Sequence, residues 1–154
     1  MLQKIPRLFS MEIWKESNTK FGVMVSSYGR VKMPVSQSNT PNGGTRLYPT
    51  IPRYGSVGRS KKGASHTYMT THHKKLGHMK VHQLVCSTFH GLKPTPTSVV
   101  IHIDEDGCNN NAANLRWGTQ KENMNMPKFL EYCRSRTGVN SPTSKSRAKA
   151  KRQP

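Results

Sequence analysis

Acidic residues are scarce in this chain. Of its 154 residues only seven are Asp or Glu, against 25 Lys or Arg, which gives a formal net charge of +18. The corresponding pI is about 10.4. A surface with so much charge of one sign repels itself unless a polyanion neutralises it. The composition therefore favours a nucleic-acid partner, with an anionic membrane surface as the main alternative.

Apolar residues and cysteines are also few. Only 32% of residues are hydrophobic, so we expect a small core, and no run approaches the ~20 apolar residues of a membrane-spanning helix. The opening "MLQKIPRLFSMEIW" is too short and too polar in its centre for a signal peptide. Cys86, Cys108 and Cys133 are odd in number, lie far apart and form no CxxC pair, so neither a disulfide framework nor a thiolate zinc knuckle is indicated. We therefore expect an intracellular, reducing compartment, no membrane partner and no zinc.

The flanking segments predict an uneven organisation. Short apolar stretches in 1–35 indicate a small β-rich module with two strands and a turn. The Gly-, Pro- and Ser-rich, basic segment from 36 to 63 predicts a loop or a disordered insertion, and 36–79 as a whole a loop and connector, within which 68–76 is ambiguous between strand and loop. Residues 134–154 contain seven Lys or Arg and no acid, which predicts a disordered basic arm.

The remaining segment, 80–133, predicts the folded domain. In "KVHQLVCSTF" the apolar residues recur at helical intervals, and "VVIHI" and "LRWGT" indicate two short strands on either side of a loop that pivots at Gly107. Thr119 and Glu122 have the spacing of a capping box at the start of a second helix. The fold class expected is therefore α+β, with two antiparallel strands followed by a helix.

In such a unit, a residue on the first strand and one on the helix can face the same small cavity, and His102 and Asn123 are the candidates. Phosphodiester hydrolysis would use them. An imidazole with an ordinary pKa near ~6.5 can deprotonate water, and a carboxamide oxygen can ligate a hard cation such as Mg²⁺. Asp104 and its two acidic neighbours are first of all turn residues beside Gly107.

At this point the chain resembles a family. "VHQLVCSTF", "IHIDEDGCNNNAANLRWGT" and "KEN", within about 80–125, look like the HNH endonucleases of phage and homing-endonuclease type, and "IWKESNTKFGVMVSSYGRVK" is similar to a small module that often precedes them. The resemblance implies a ββα-metal (HNH, His-Me finger) core and metal-dependent cleavage of DNA. If the chain is phage-encoded, the compartment is the host cytoplasm.

The resemblance also implies roles for individual residues. His102 corresponds to the general base, Asn114 to the central Asn that pins the loop, and Asn123 to a metal ligand for Mg²⁺ or Mn²⁺. His82 corresponds to an upstream histidine that supports the motif. Many members have Asp or Asn immediately before the base, where this chain has Ile101, so Asp104 is the tentative second ligand.

Basic residues along the chain are the expected phosphate contacts, which position a protein on DNA without reading its sequence; RNA shares those contacts. They are Arg30, Lys32, Arg46, Arg53, Arg59, Lys61, Lys62, Arg116, Lys121, Lys145, Arg147, Lys149, Lys151 and Arg152. The alternative is a non-catalytic nucleic-acid-binding or ribonucleoprotein structural protein on a decayed HNH scaffold. The sequence does not indicate protein partners.

Overall fold

A computed structural model describes residues 11–48, 50–58, 67–137 and 141. Within these residues it is a mixed α and β fold of small antiparallel sheets and short helices. None of the helices in the described ranges has the length and apolar character needed to cross a bilayer.

The N-terminal module is a three-stranded antiparallel sheet. Its strands β1 (Trp14–Glu16), β2 (Met24–Ser26) and β3 (Val31–Lys32) lie in sequence order. The sequence predicted two strands there. The third forms because the tight turn at Gly29, with φ of 83°, returns the chain against β2.

The prediction that residues 36–63 form a loop or a disordered insertion was wrong for the described part. Strands β4 (Ser36–Asn39) and β5 (Thr45–Tyr48) form a hairpin. Its turn is closed by Thr40, whose hydroxyl bonds to both the amide and the carbonyl of Gly44. Composition misled here because cross-strand hydrogen bonds satisfy the backbone of a polar hairpin without any core.

The connector before the first helix is a second three-stranded sheet, which decides in favour of a strand for most of the stretch left open between strand and loop. It comprises β6 (Ser56–Val57), β7 (Met69–His73) and β8 (Gly77–Lys80), in sequence order. The Met69–His73 stretch was ambiguous from sequence because its two faces differ little in polarity. Its pairing with β8 through a short turn at Gly77 settles it as a strand.

The core surrounds the predicted helix, which is confirmed as α1 (Val81–Phe89). Valines of the N-terminal module, together with Ala112 and Leu115, pack with residues of this helix in one cluster. The buried apolar residues of this cluster are Val23, Val25, Val31, Met79, Val81, Leu84, Val85, Cys86, Ala112 and Leu115. The core is as small as the composition predicted, and it joins the N-terminal module to the rest of the chain.

Two strands and two helices complete the described chain. Strands β9 (Val99–His102) and β10 (Leu115–Gly118) are antiparallel, with His102 opposite Leu115. Helix α2 (Gln120–Met124) follows directly, and α3 (Pro127–Ser135) begins after a break, with Pro127 at its first turn. The prediction therefore placed the start of the disordered arm too early, since Arg134 is helical. Positions 138–140 and 142–154 lie outside the described residues.

Candidate functional site

A small cavity of about 90 Å³ forms where β9, the loop after it, α2 and the start of α3 meet. Both the strand histidine and the helix asparagine singled out from the sequence line it. The lining residues are Tyr68, Val100, His102, Glu105, Gly107, Asn123, Met126 and Phe129.

His102 is held at the end of β9 by a residue that the sequence analysis did not single out. Its side chain is buried, and its Nε2 lies 3.2 Å from the Oδ1 of Asn110, which is buried as well. The Nδ2 of Asn110 donates to the carbonyl of Cys108 at 3.3 Å, which fixes the orientation of the amide. Because the amide oxygen can only accept, Nε2 is the donor in this bond.

Two rings surround His102. The centroid of the His82 ring lies 5.3 Å from that of His102, nearly edge-on, and the Tyr68 ring lies 5.9 Å from it. Burial, with smaller contributions from the charges of His102 and Lys80, lowers the pKa of His82 to about 3. His82 is therefore neutral at physiological pH and adds no positive charge beside His102. Burial also raises the pKa of Tyr68.

Asn114 ties together the loop that follows β9. Its Oδ1 accepts from the amide of Asp104 at 3.1 Å, and its Nδ2 donates to the Asp104 carboxylate at 2.8 Å and to the carbonyl of Asn109 at 2.9 Å. The side-chain Nδ2 of Asn109 donates to the other carboxylate oxygen of Asp104 at 2.6 Å. Burial alone would raise the pKa of Asp104, but bonds from the Asp106 amide, Asn114 and Asn109 outweigh it and lower the pKa.

Asp104 is thus engaged within the loop and does not line the cavity, whereas Glu105 does. Glu105 has a φ of 60°, an uncommon backbone conformation for a residue with a side chain. Its carboxylate accepts from the amide of Lys128 at 2.9 Å, in the first turn of α3, and the Lys128 ammonium donates to the carbonyl of Asp104 at 2.7 Å. These two bonds fasten α3 to the loop and close one side of the cavity.

Helix α2 places Asn123 against the same cavity. The predicted capping box is confirmed: Thr119 accepts from the Glu122 amide at 3.1 Å, and Glu122 accepts from the Thr119 amide at 2.7 Å. The hydrogen bonds from Thr119 lower the pKa of Glu122. The box fixes where the helix begins, and therefore which of its residues faces β9.

The N-terminal sheet supports the other side of the site. Gly29 packs so closely on the loop that a Cβ there would lie 2.7 Å from the carbonyl oxygen of Asn110. The amide of Ala112 donates to the carbonyl of Ser27 at 2.8 Å, and the ring of His90 bonds the carbonyl of Ala112 at 2.7 Å. The orientation of Asn110, and through it that of His102, therefore depends on β2 and β3.

The oxygen donors around the cavity fit a hard cation better than zinc. Asn123 and Glu105 supply a carboxamide and a carboxylate, and Mg²⁺ is commonly held by one or two such groups together with substrate phosphate and water. Within the described ranges, no three His, Cys, Asp or Glu are grouped closely enough to hold a metal by themselves. Ile101 is 1% exposed, and strand alternation places it on the face of β9 opposite His102.

The predicted phosphate contacts fall into three groups. Lys32, Arg46, Arg53 and Lys121 are exposed. Arg30 instead donates through Nε to Glu12 at 2.8 Å, a bond that lowers the pKa of Glu12, and Arg116 lies 3.6 Å from Glu122. The others lie outside the described residues, namely Arg59, Lys61, Lys62, Lys145, Arg147, Lys149, Lys151 and Arg152.

Sequence reasoning did not single out Asn110, Tyr68 or Glu105 for this cavity. Asn110 belongs to a run of three asparagines, and only the fold decides which one turns inward. Tyr68 is 34 positions from His102 and reaches the cavity through the pairing of β7 with β8. The only sequence signal for Glu105 was its place in an acidic turn.

A comparison with protein-family models agrees with the sequence resemblance. Residues 79–125 match the family model described as HNH endonuclease, so the resemblance is confirmed for that segment. A solved structure of the HNH homing endonuclease I-HmuI, described for its DNA binding and cleavage, is 26% identical. The match covers 92% of this chain and 68% of that one, with a TM-score of 0.45. No curated protein matches the chain significantly.

Proposed function

We propose that the protein is a metal-dependent HNH endonuclease that hydrolyses DNA phosphodiester bonds, nicking one strand or cutting both, on a ββα-metal core. One observation carries the proposal: His102 and Asn123 line the same cavity, within the segment that matches the HNH endonuclease family. The positive charge of the chain supports a polyanionic substrate.

His102 is the general base in this proposal. The scissile phosphorus is shielded by anionic oxygens, so the attacking water must lose a proton. The imidazole of His102 accepts that proton, and the Asn110 amide oxygen, bonded to Nε2, then stabilises the imidazolium that results. His82, which stays neutral, does not oppose the new charge on its neighbour.

Asn123 and a carboxylate of the loop after β9 are the proposed ligands of Mg²⁺ or Mn²⁺. Glu105 lines the cavity, so it is better placed than Asp104, the ligand suggested by the sequence. Asn123 and Glu105 would hold a cation whose charge would offset the negative charge on the departing 3′ oxygen. Asn114 is a positioning residue, because its three hydrogen bonds set the shape of the loop that presents His102 and Glu105.

The β4–β5 hairpin is the proposed DNA-holding element. All four residues of β5 are exposed, and the Arg46 guanidinium lies 5.6 Å from the centre of the Tyr48 ring. The major groove, about 12 Å wide, admits a two-stranded ribbon. No Asp or Glu occurs anywhere from 17 to 103, so nothing in this stretch of sequence repels phosphate.

The test is cleavage of a supercoiled plasmid with Mg²⁺, with Mn²⁺ or with EDTA. We expect metal-dependent nicking or linearisation by the wild type, loss of about 10²-fold or more in His102→Ala, and full activity in His72→Ala, a matched change on an exposed strand residue. Duplex binding by His102→Ala should match the wild type. Equal cutting by His102→Ala and the wild type would refute the assignment.

A second candidate function is favoured by Ile101. Because this buried side chain cannot coordinate a metal, the site has one ligand fewer than many family members. A non-catalytic nucleic-acid-binding protein on the same scaffold would have such a site. It would bind duplex equally with Mg²⁺ or EDTA and would cut no substrate, including a library of randomised duplexes. Metal-dependent cutting lost in Asn123→Ala would eliminate this candidate.

A further inference from the structure

A second and larger groove, of about 570 Å³, lies beside β10. The first cavity is lined from β9, by Val100 and His102, whereas the groove is lined from β10, by Trp117. The two share no lining residue. The groove is lined by Thr19, Lys20, His78, Met79, Lys80, Gln83, Leu84, Ser87, Leu92, Lys93 and Trp117.

The floor and the rim of this groove differ in chemistry. Met79 and Leu84 are buried and form an apolar floor with the half-buried Trp117. Leu92, which is 62% exposed, extends this apolar surface. The rim carries Lys20, Lys80, Lys93 and His78, which come from three separate segments of the chain. None of the lining residues is acidic, and neither ion pair recorded for the described residues involves these lysines.

This combination matches the two faces of an unpaired nucleotide. A base has an apolar face that packs on aromatic and sulfur-containing side chains, while its phosphate seeks lysine. The volume is within the ~300–1,000 Å³ typical of small-ligand sites, so it accommodates a base. A base in a duplex is stacked on both sides and cannot enter such a groove, so the strand must be single. An acidic peptide would satisfy the lysines but leave the apolar floor uncovered.

We propose that this groove binds single-stranded nucleic acid, with a base on the floor formed by Met79, Leu84 and Trp117 and phosphates at Lys20 and Lys93. The site is separate from the His102 cavity and does not depend on cleavage. Together with the cleavage site proposed above, on which this count rests, the protein then has two nucleic-acid sites, one for the strand that is cut and one for an unpaired strand.

The test is fluorescence anisotropy of a labelled oligothymidylate about a dozen nucleotides long, with the full chain in EDTA. Gln83→Glu puts a carboxylate into the groove with almost no change of shape, and we expect it to weaken binding about ten-fold. The double variant Lys20→Ala/Lys93→Ala should also weaken binding about ten-fold. It should reduce the slope of log affinity against log salt concentration (the salt slope) by about 1.4. Lys74→Ala/Lys75→Ala removes the same charge from the exposed β7–β8 turn and should change affinity less than about two-fold.

A second probe separates base insertion from simple charge attraction. An abasic oligomer of equal length should bind the wild type about ten-fold more weakly than oligothymidylate, and this difference should disappear in Gln83→Glu. Equal losses in the groove and turn variants, equal binding of the abasic oligomer, or full competition by poly-glutamate would each overturn the proposal. Plasmid cutting by Gln83→Glu should equal that of the wild type, which keeps this test independent of the nuclease assignment.

Discussion

Buried His82 should make the protein acid-sensitive. Its ring is 5% exposed, and among the described residues its Nδ1 has no hydrogen-bond partner. Its pKa is about 3 in the folded chain and near 6.5 once the chain unfolds. Between these values the unfolded state binds a proton that the native state does not, so acid favours unfolding and the stability is recovered as the pH rises towards 6.5.

The expected magnitude follows from the difference between the two pKa values. Each pH unit in this window costs about 1.4 kcal/mol, so His82 alone should remove about 3 kcal/mol of unfolding free energy between pH 6.5 and pH 4. His82→Phe keeps a ring against Tyr68 and His102 but cannot titrate. It should therefore lose about 3 kcal/mol less than the wild type over the same range.

Urea unfolding followed by tryptophan fluorescence at pH 7, 5.5 and 4 measures this difference. The carboxylates and the other histidines contribute to both curves and cancel in the comparison. His78→Phe, a change on an exposed strand residue, should follow the wild type. If His82→Phe and wild type lose the same stability within about 1 kcal/mol, His82 is not held neutral by burial, and the reasoning fails.

Three further predictions concern other parts of the chain. Gly29→Ala should lower the free energy of unfolding, measured in urea, by about 2 kcal/mol more than Gly43→Ala does. Both glycines have positive φ, but of the two only Gly29 faces a close contact, with Asn110. Equal losses would contradict the close packing. Thr119→Ala should cost about 1 kcal/mol by the same measurement, with Thr119→Ser near wild type, and no loss would mean that the capping box is not formed in solution. Arg46→Ala should reduce the salt slope of duplex binding by about 0.9, and an unchanged slope would remove the hairpin from the DNA interface.

Local patterns and global pairing were not equally predictable. The helix Val81–Phe89 and the capping box were visible because periodicity and cap spacing are short-range signals. The β4–β5 hairpin was missed because its stability comes from cross-strand backbone bonds and a turn, neither of which appears in composition.

The site divides in the same way. His102 and Asn123 could be paired from sequence because a strand–strand–helix unit brings them together over a short stretch of chain. The contributions of Tyr68 and Asn110 could not be predicted, since one depends on the register of a distant sheet and the other on which of three consecutive asparagines points inward.

The close approach of Gly29 to Asn110 has a consequence for how the segment that matches the HNH family can be transplanted. The segment that matches the family begins at residue 79, yet Gly29 and Ser27 buttress its loop, and Tyr68 walls its cavity. A graft of 79–125 onto another scaffold would carry every motif residue and none of these supports. The smallest portable unit therefore begins in the N-terminal sheet, and a recombination boundary placed just before α1 should give inactive chimaeras.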